Sequence, residues 1–420
     1  MEQLLHYVWK HKLFPLSPLS TTRHQQVEVI DPGLHNRNAG PDFFNAKINL
    51  DGTLWVGNVE IHDKDERYDN VILHVCGFID IEAKNSKGEP LTQMQLDIPE
   101  NVYRHYKELL SIDQYPPCYQ IIPSLTKLTI HSWMSALQTE RLSQKTEAIE
   151  ERVRKCNGDW ENAYFVTLAR NYGFGINGDA FEQWALSIPL QAVAHHRDNL
   201  FQIEAFFLGQ AGLLELNTIP ERYQKDALND GYFSKLRNEY LYLAHKFSMQ
   251  PMDYKLWRFL RLRPQNFPHI RISQLAHLYY QRKASLSQLL EATTIKDAMK
   301  VLSSSVTSYW ETHYTFGSES IRNEKHVSPF SLKLLVINTV IPILFAYGRH
   351  RGEEKYCDRA FDFLEALRPE NNHIVRMWQQ CGLEVENAGD SQALIQLKKE
   401  YCDKKECLRC RIGYEYLKRK

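Results

Sequence analysis

The stretch NAGPDFFNAKINLDGTLWVGNVEIH, residues 38–62, predicts two β-strands joined by a tight turn. Apolar and polar side chains alternate on both sides of Asp51-Gly52, a dipeptide that strongly favours a hairpin turn. The outer ends of the two strands carry carboxylates, Asp42 on the first and Glu60 on the second. Facing carboxylates repel each other unless a cation lies between them, so this hairpin is a candidate site.

The register of the hairpin decides whether the carboxylates meet, and the sequence leaves two registers open. With a two-residue loop, Asp42 faces Ile61 and Glu60 points to the other side of the sheet. With a three-residue loop, in which Gly52 is left-handed and forms a bulge, Asp42 lies opposite Glu60. This second register gathers Asn58 beside them. It also predicts one apolar face formed by Phe44, Ala46, Ile48, Leu50, Leu54 and Val56.

Two close carboxylates with His62 beside them suit a hard divalent cation. The prediction is therefore a Mg²⁺ or Mn²⁺ site held by Asp42 and Glu60. The alternative from spacing alone is a solvent-exposed hairpin end, in which Asp42 caps the turn after Gly40-Pro41.

The pattern of the remaining residues predicts a small α/β domain followed by a larger all-α domain. Residues 20–100 alternate with the period of strands, and the pattern changes to helical spacing beyond the Pro-rich connector 113–125. We expect a domain over 1–120, a helical domain over 121–395, and a Cys-containing basic tail over 396–420 that packs back on the body. The first helix should bury Leu4, Leu5, Val8 and Trp9.

Composition indicates a globular protein without a strong overall charge. The 420 residues are 43% hydrophobic. The 51 Lys and Arg residues balance the 51 Asp and Glu residues, so the net charge of the chain does not attract it to nucleic acid or to a membrane surface. The start of the chain lacks the pattern of a signal peptide. The apolar segment 331–347 is interrupted by Lys333, Asn338 and Pro342, which predicts a buried core helix. The expected location is the cytoplasm.

The order Pro41-Asp42, hairpin, Glu60-x-His62 resembles the PD-(D/E)XK nuclease superfamily, with His62 where that motif usually has lysine. The resemblance implies a restriction-endonuclease-like mixed sheet with helices and metal-dependent phosphodiester hydrolysis of nucleic acid. It implies that Asp42 and Glu60 hold the metal and that His62 helps to orient or activate water. Glu2 corresponds to the acidic residue that many members carry on the first helix. Asn58 and His74 are possible supporting residues.

Most of the chain resembles the bacterial family called domain of unknown function 2851. The motifs that carry this resemblance are AGPDFFNAKI, GNVEIH, YDNVILHV, RPQNFPHIRISQLA and YCDKKECLRCRIG. The family implies no reaction, and the connection DKDER (63–67) is shorter than its pattern. That departure supports an alternative, a catalytically inactive nuclease-fold binding or scaffold protein. A third hypothesis is a zinc hydrolase that uses His35, His62 and His74.

Three of the eight cysteines lie close together near the chain end, Cys402, Cys407 and Cys410 in the spacing C-x4-C-x2-C. Three such thiolates suit a zinc ion or an iron–sulfur cluster, and nearby lysines and arginines are expected to stabilise the thiolates. A fourth ligand is needed. Cys118, in the Pro-rich connector, is the first choice. Cys381 and His373 are the second.

A cluster of arginines in FLRLRPQNFPHIR (259–271) provides a candidate contact surface for nucleic acid. Arg261, Arg263 and Arg271 would contact phosphates, with Phe267 as a stacking platform. The alternative is a corner between helices with solvated arginines.

Overall fold

The computed structural model describes residues 1–15, 17–36, 40–62, 70–79, 82–112, 115–282 and 285–419. The short connection 63–67 lies outside the described residues. The chain divides into two compact units. The first unit contains Met1–Met134, Arg376–Glu384 and Leu394–Lys420, and the second contains Ser135–Val375 and Val385–Ala393. Both ends of the chain therefore belong to the first unit.

The described residues form short strands near the chain start and helices through most of the remainder. The strands are β1 (Leu19–Ser20), β2 (Gln26–Asp31), β3 (Leu34–His35), β4 (Phe43–Leu50), β5 (Thr53–His62), β6 (Leu73–Cys76), β7 (Gln93–Gln95), β8 (His313–Thr315) and β9 (Ser318–Glu319). The α-helices are α1 (Glu2–Lys10), α2 (Glu100–Ser111), α3 (Lys127–Lys155), α4 (Trp160–Tyr172), α5 (Gly178–Leu186), α6 (Leu190–Ala194), α7 (Leu200–Gln210), α8 (Glu221–Asn229), α9 (Gly231–Phe247), α10 (Pro268–Tyr280), α11 (Leu286–Glu291), α12 (Ile295–Leu302), α13 (Ser308–Glu311), α14 (Pro329–Leu335), α15 (Ile341–Arg351), α16 (Glu354–Ala366), α17 (His373–Gln380), α18 (Ala388–Gln396) and α19 (Arg411–Leu417).

The first unit is built on a mixed sheet with the strand order β1-β2-β4-β5-β6-β7, and β3 pairs with β4. The strands from β1 to β5 pair antiparallel, whereas β5, β6 and β7 pair parallel. A mixed sheet with helices in the N-terminal part, and mostly helices beyond it, confirms the coarse prediction. The second unit also contains the short β8–β9 hairpin, so the expectation of an all-α domain is wrong at that point.

The β4–β5 hairpin turns through Asp51 and Gly52, whose φ angles are 47° and 88°. Positive φ at both central residues is the signature of the turn that matches the twist of paired strands. This two-residue turn pairs Leu50 with Thr53. Of the two alternatives that the sequence left open, the two-residue loop is therefore the one that forms, and the three-residue loop with a bulge at Gly52 does not.

An extra residue inside β4 shifts the register away from the turn. Ala46 pairs with Gly57, whereas Phe43 pairs with Val59, so two residues of β4 face one residue of β5. Within this bulge Asn45 has a φ of 55°, a left-handed conformation that asparagine tolerates better than most residues with side chains. The bulge, and not the turn, sets the register at the outer end of the hairpin.

The two-residue turn also changes which side chains share a face. Leu54 pairs with Asn49 and Val56 pairs with Lys47. Leu54 and Val56 are 59% and 56% exposed, whereas Ile48 is buried. The three-residue loop predicted an apolar face that joined Ile48 to Leu54 and Val56. That prediction is wrong, because a one-residue shift in pairing sends alternate side chains to the other side of the sheet.

Helix α1 buries one side, as the helical spacing of its apolar residues predicts. This side is formed by Leu4, Leu5, Val8 and Trp9. It packs on β5. Trp9 lies beside Phe43, with ring centroids 6.5 Å apart, and donates its indole N–H to the carbonyl of Pro32 at 3.0 Å. These contacts fix the polar side of α1 over the outer end of the hairpin.

The second unit is a helical body with a continuous apolar core. Within it α15 packs on α16, α4 on α5, and α7 on α9 and α10. The segment Pro329–Arg351 is long and apolar enough to cross a membrane, with a mean hydropathy of 1.8, but 72% of its most apolar window is buried inside the protein. The segment therefore contributes to the core of the unit, as its sequence predicted.

Candidate metal centre

Asp42 and Glu60 lie opposite each other at the outer end of the β4–β5 hairpin. The backbone N–H of Asp42 donates to Glu60 Oε2 at 3.2 Å. The backbone N–H of Ile61 donates to Asp42 Oδ2 at 2.9 Å. Each carboxylate is thus fixed by the backbone of the facing strand. The bulge at Asn45 makes this possible, because the register of the turn alone would place Glu60 on the other face.

His62 brings a third possible ligand to the two carboxylates. Its Nε2 lies 2.6 Å from Glu60 Oε1. Asp42, Glu60 and His62 each offer one ligand atom, and these atoms all lie within 4.8 Å of one another. The Glu60 side chain is 1% exposed, and those of His62 and Asp42 are 17% and 18% exposed. The three side chains therefore lie at the edge of the core, where solvent reaches one side.

Helix α1 places two further polar side chains at this site. His6 Nε2 lies 3.4 Å from Asp42 Oδ2 and 3.0 Å from the carbonyl oxygen of Ile61. Glu2 has one carboxylate oxygen 3.9 Å from His6 Nε2 and the other 3.9 Å from His62 Nδ1. Glu2 lies where the sequence placed it, beside the hairpin carboxylates. His6 was missed, although its i, i+4 spacing from Glu2 was an available signal.

The environment gives the two carboxylates opposite pKa shifts. Burial, together with the negative charge of Asp42, raises the pKa of Glu60 to about 7. Burial alone would raise the pKa of Asp42, but hydrogen bonds from His6 and from the Ile61 N–H lower that pKa. Burial alone would lower the pKa of His6, and its bond with Asp42 reverses the effect and raises it. Asp42 is therefore ionised, while Glu60 exchanges a proton near neutral pH.

Asn58 and His74 border the three possible ligands. Asn58 Nδ2 donates to the carbonyl of Asn70 at 3.1 Å, and its Oδ1 accepts from the Asn45 N–H at 3.5 Å. Asn58 therefore supports the bulge. His74 is the neighbour of Glu60 in the parallel β5–β6 register and is buried. This position beside Glu60 fits a supporting role. His74 contributes no atom to the group of ligand atoms that lie within 4.8 Å of one another.

The three histidines of the zinc-hydrolase hypothesis do not meet as ligands among the described residues. His35 stacks on Phe43, with ring centroids 4.9 Å apart. His62 instead contacts Glu60, and His74 is buried on β6. The structure therefore favours a carboxylate-based site over one formed by histidines.

The four cysteines that were predicted to bind a metal come from two segments that are far apart in sequence, but they lie close together in the first unit. One cavity of about 260 Å³ in the first unit is lined by all four first-choice ligands, Cys118, Cys402, Cys407 and Cys410. Cys381 is not among the residues that line this cavity, and His373 belongs to the second unit.

Burial outweighs the nearby cations in setting the pKa values of these four cysteines. Burial raises the pKa of Cys410 to about 11, and it also raises the pKa of Cys402. Burial and the charges of the other three cysteines raise the pKa of Cys118. Lys405 acts to lower the pKa of Cys407, but burial outweighs it. A metal that binds these cysteines must therefore displace their protons.

The three candidate arginines differ in exposure. Arg261 and Arg263 are exposed, which leaves the prediction of a phosphate contact open for both. Arg271 is buried and donates to Gln274 Oε1 at 2.9 Å and to Asn266 Oδ1 at 2.6 Å. The prediction that Arg271 contacts nucleic acid is wrong, because its guanidinium is enclosed within the second unit and bound to partners there.

Comparison with known proteins identifies a family without supplying an activity. No curated protein and no solved structure gives a significant match. A family model described as "Protein of unknown function (DUF2851)" matches residues 2–373. The matched range includes the hairpin and Cys118, and it ends before Cys402, Cys407 and Cys410. The chain belongs to the DUF2851 family of proteins of unknown function.

Proposed function

We propose that this chain is a metal-dependent phosphodiesterase of the PD-(D/E)XK nuclease type that acts on nucleic acid. The observation that carries the proposal is the meeting of Asp42, Glu60 and His62, with ligand atoms all within 4.8 Å of one another. The order Pro41-Asp42, hairpin, Glu60-x-His62 resembles the motif of that superfamily. The strand context supports the proposal, because β5 pairs antiparallel with β4 and parallel with β6.

The donor set fits a hard divalent cation. Carboxylate oxygens are the ligands that Mg²⁺ prefers, and Mn²⁺ accepts both carboxylate and imidazole. The raised pKa of Glu60 supports the same assignment, because it arises from burial and from the charge of Asp42, and a cation would offset both effects. When bound there, Mg²⁺ or Mn²⁺ supplies a Lewis acid for a phosphoryl oxygen and lowers the pKa of a nearby water.

The surrounding residues hold the two carboxylates in position and orient water. The Ile61 N–H and His6 hold Asp42 in its ionised form. His62 Nε2 contacts Glu60 Oε1 and so fixes that carboxylate. Its Nδ1 lies 3.9 Å from Glu2 and is the ring atom that remains to orient a water molecule.

One observation favours a second function, that of a nuclease-fold binding or scaffold protein without activity. His62 stands where the superfamily motif usually has lysine, and its Nε2 already contacts Glu60 at 2.6 Å. An imidazole supplies no permanent positive charge. If catalysis needs that charge, the chain binds nucleic acid and metal without cleaving.

A cleavage assay separates the two functions. Single- and double-stranded DNA and RNA are incubated with the full chain and Mn²⁺, beside the variants Asp42→Asn and Glu60→Gln. The proposal predicts cleavage by the wild type that both variants lose by at least about a hundredfold, as expected for the removal of a metal ligand.

The matched control is Glu28→Gln, since Glu28 is an exposed carboxylate on β2 of the same sheet. It should cleave as the wild type does. Equal activity in wild type, Asp42→Asn and Glu60→Gln would contradict the proposal by showing a contaminating nuclease. Absence of cleavage on every substrate, with metal still bound, would establish the scaffold function instead.

A further inference from the structure

The cysteine-lined cavity of the first unit is built from two segments that are far apart in sequence. Cys118 precedes the short 3-10 helix Tyr119–Ser124. The other three follow one another between the end of α18 and the start of α19, in the order Cys402, Cys407 and Cys410. All eight cysteines lie within the described residues, and none forms a disulfide. Four thiols therefore converge on one space without bonding to each other.

The backbone forms a close turn around Cys407 and Cys410. Cys410 is the N-cap of α19 and lies directly before Arg411, the first residue of that helix. A Cβ on Gly413 would lie 2.1 Å from the carbonyl oxygen of Cys407, so this close turn requires glycine.

The spacing of the sulfurs distinguishes between two kinds of metal group. A zinc ion bound to four thiolates at about 2.3 Å holds the sulfurs about 3.8 Å apart. Among the described residues, the ligand atoms of Asp42, Glu60 and His62 lie within 4.8 Å of one another, whereas no three of the cysteine sulfurs lie that close together. The four sulfurs instead surround a cavity of about 260 Å³. This wider arrangement suits a cluster in which each sulfur binds a different metal atom.

We propose that Cys118, Cys402, Cys407 and Cys410 bind a four-iron, four-sulfide cluster. Each thiol loses its proton as its sulfur forms one bond to one iron, so a preassembled cluster displaces four protons and undergoes no change in oxidation state. The surrounding wall is largely apolar, with Leu109, Leu110 and Ile112 on one side. Such a wall reduces the contact of the cluster with water.

The cluster would join the chain's end to the connector that follows α2. Within the first unit α19 packs on α2 and on the 3-10 helix Tyr119–Ser124, so the cluster lies at a contact that already exists. A bound metal group that requires the folded arrangement stabilises that arrangement. The inference does not depend on the proposed function, because the acidic site shares no residue with this cavity.

The test is metal and sulfide analysis of the full chain, purified without oxygen and reconstituted with iron and sulfide. We expect about four irons and about four acid-labile sulfides per chain, with a broad absorbance at about 400 nm. About one zinc per chain without sulfide would overturn the cluster in favour of a zinc site. Absence of any bound metal after reconstitution would overturn both.

Variants assign the ligands. Cys118→Ser and Cys407→Ser should each lose at least half of the iron and the absorbance, whereas Cys381→Ser should retain both. Cys381 is the matched control because it is a half-buried cysteine of the same unit outside the cavity. Full iron and sulfide in both ligand variants would overturn the assignment. The wild-type analysis decides the presence of a cluster even where a variant fails to fold.

Discussion

Asp42 faces Glu60 across the hairpin, and its backbone N–H donates to Glu60 Oε2 at 3.2 Å. This relationship exists because Asn45 adds one residue to β4 between the turn and the carboxylates. Without the bulge, the two-residue turn would send Glu60 to the opposite face of the sheet. The candidate metal centre therefore depends on one asparagine in a left-handed conformation.

Substitution of Asn45 tests this dependence. Asn45→Val should destabilise the first unit by about 1–3 kcal/mol, because a β-branched residue disfavours a positive φ. It should also weaken Mn²⁺ binding by at least about tenfold, as the register relaxes. Asn45→Gly, which adopts the same φ without strain, is the control and should change both quantities little. Urea unfolding and calorimetric Mn²⁺ titration measure them. Unchanged Mn²⁺ affinity in a folded Asn45→Val protein would contradict the role of the bulge.

The raised pKa of Glu60 predicts a pH dependence of stability without metal. In the folded protein this pKa is about 7, and its ordinary value is 4.5. Between these values the folded state binds more protons than the unfolded state, so the stability contributed by protonated Glu60 is present at low pH and is lost as pH rises through about 7.

Urea unfolding between about pH 5 and about pH 7.5 checks this sign. The wild type should lose stability relative to Glu60→Gln as pH rises, by at most about 1.4 kcal/mol per pH unit. The control Glu28→Gln should follow the wild type. The dependence should weaken when Mn²⁺ is added, because the cation favours the ionised carboxylate. Parallel curves for the wild type and Glu60→Gln would show that Glu60 has an ordinary pKa.

His6 should stabilise the folded site through its contacts with Asp42 and the Ile61 carbonyl. His6→Ala removes both contacts and should lower the free energy of unfolding by about 1–3 kcal/mol at pH 6. The loss should shrink at higher pH, because the charge on His6 disappears as pH rises through its raised pKa. His131→Ala, an exposed histidine of the same unit, is the control. An equal loss for both substitutions, or none for His6→Ala, would be inconsistent with this role.

Arg271 should contribute to stability and not to nucleic-acid binding. It bonds Gln274 and Asn266 and lies 4.3 Å from the centre of the Phe174 ring. Arg271→Ala leaves both acceptors without this donor, one of them on the buried Gln274, and should destabilise the second unit by about 2–4 kcal/mol. The exposed Arg263→Ala should change stability by less than about 0.5 kcal/mol. Thermal unfolding distinguishes the two variants, and similar small shifts in both would show that Arg271 is not held in the core.

The sequence predicted those features that depend on local patterns. The Asp51-Gly52 turn follows from the dipeptide itself, and the buried side of α1 follows from the spacing of Leu4, Leu5, Val8 and Trp9. The spacing of the three C-terminal cysteines, with Cys118 in the connector, was enough to choose residues that line one cavity.

The missed features arise from tertiary packing. An asparagine in a strand has no pattern that marks a bulge, so Asn45 could not be identified. His6 meets Asp42 only because α1 packs on β5 in one particular rotation. Arg271 lies in a basic, aromatic stretch that resembles an exposed surface, and the residues that enclose it include Phe174, which is distant in sequence.

Whether Asp42 and Glu60 bind a metal ion is tested most directly by a Mn²⁺ titration of the full chain that is monitored by electron paramagnetic resonance. We expect one Mn²⁺ bound at the hairpin, with an affinity that is at least about tenfold weaker in Asp42→Asn and in Glu60→Gln and unchanged in Glu28→Gln. Absence of specific Mn²⁺ binding in the wild type, or equal affinity in all four proteins, would contradict the assignment of Asp42 and Glu60 as metal ligands.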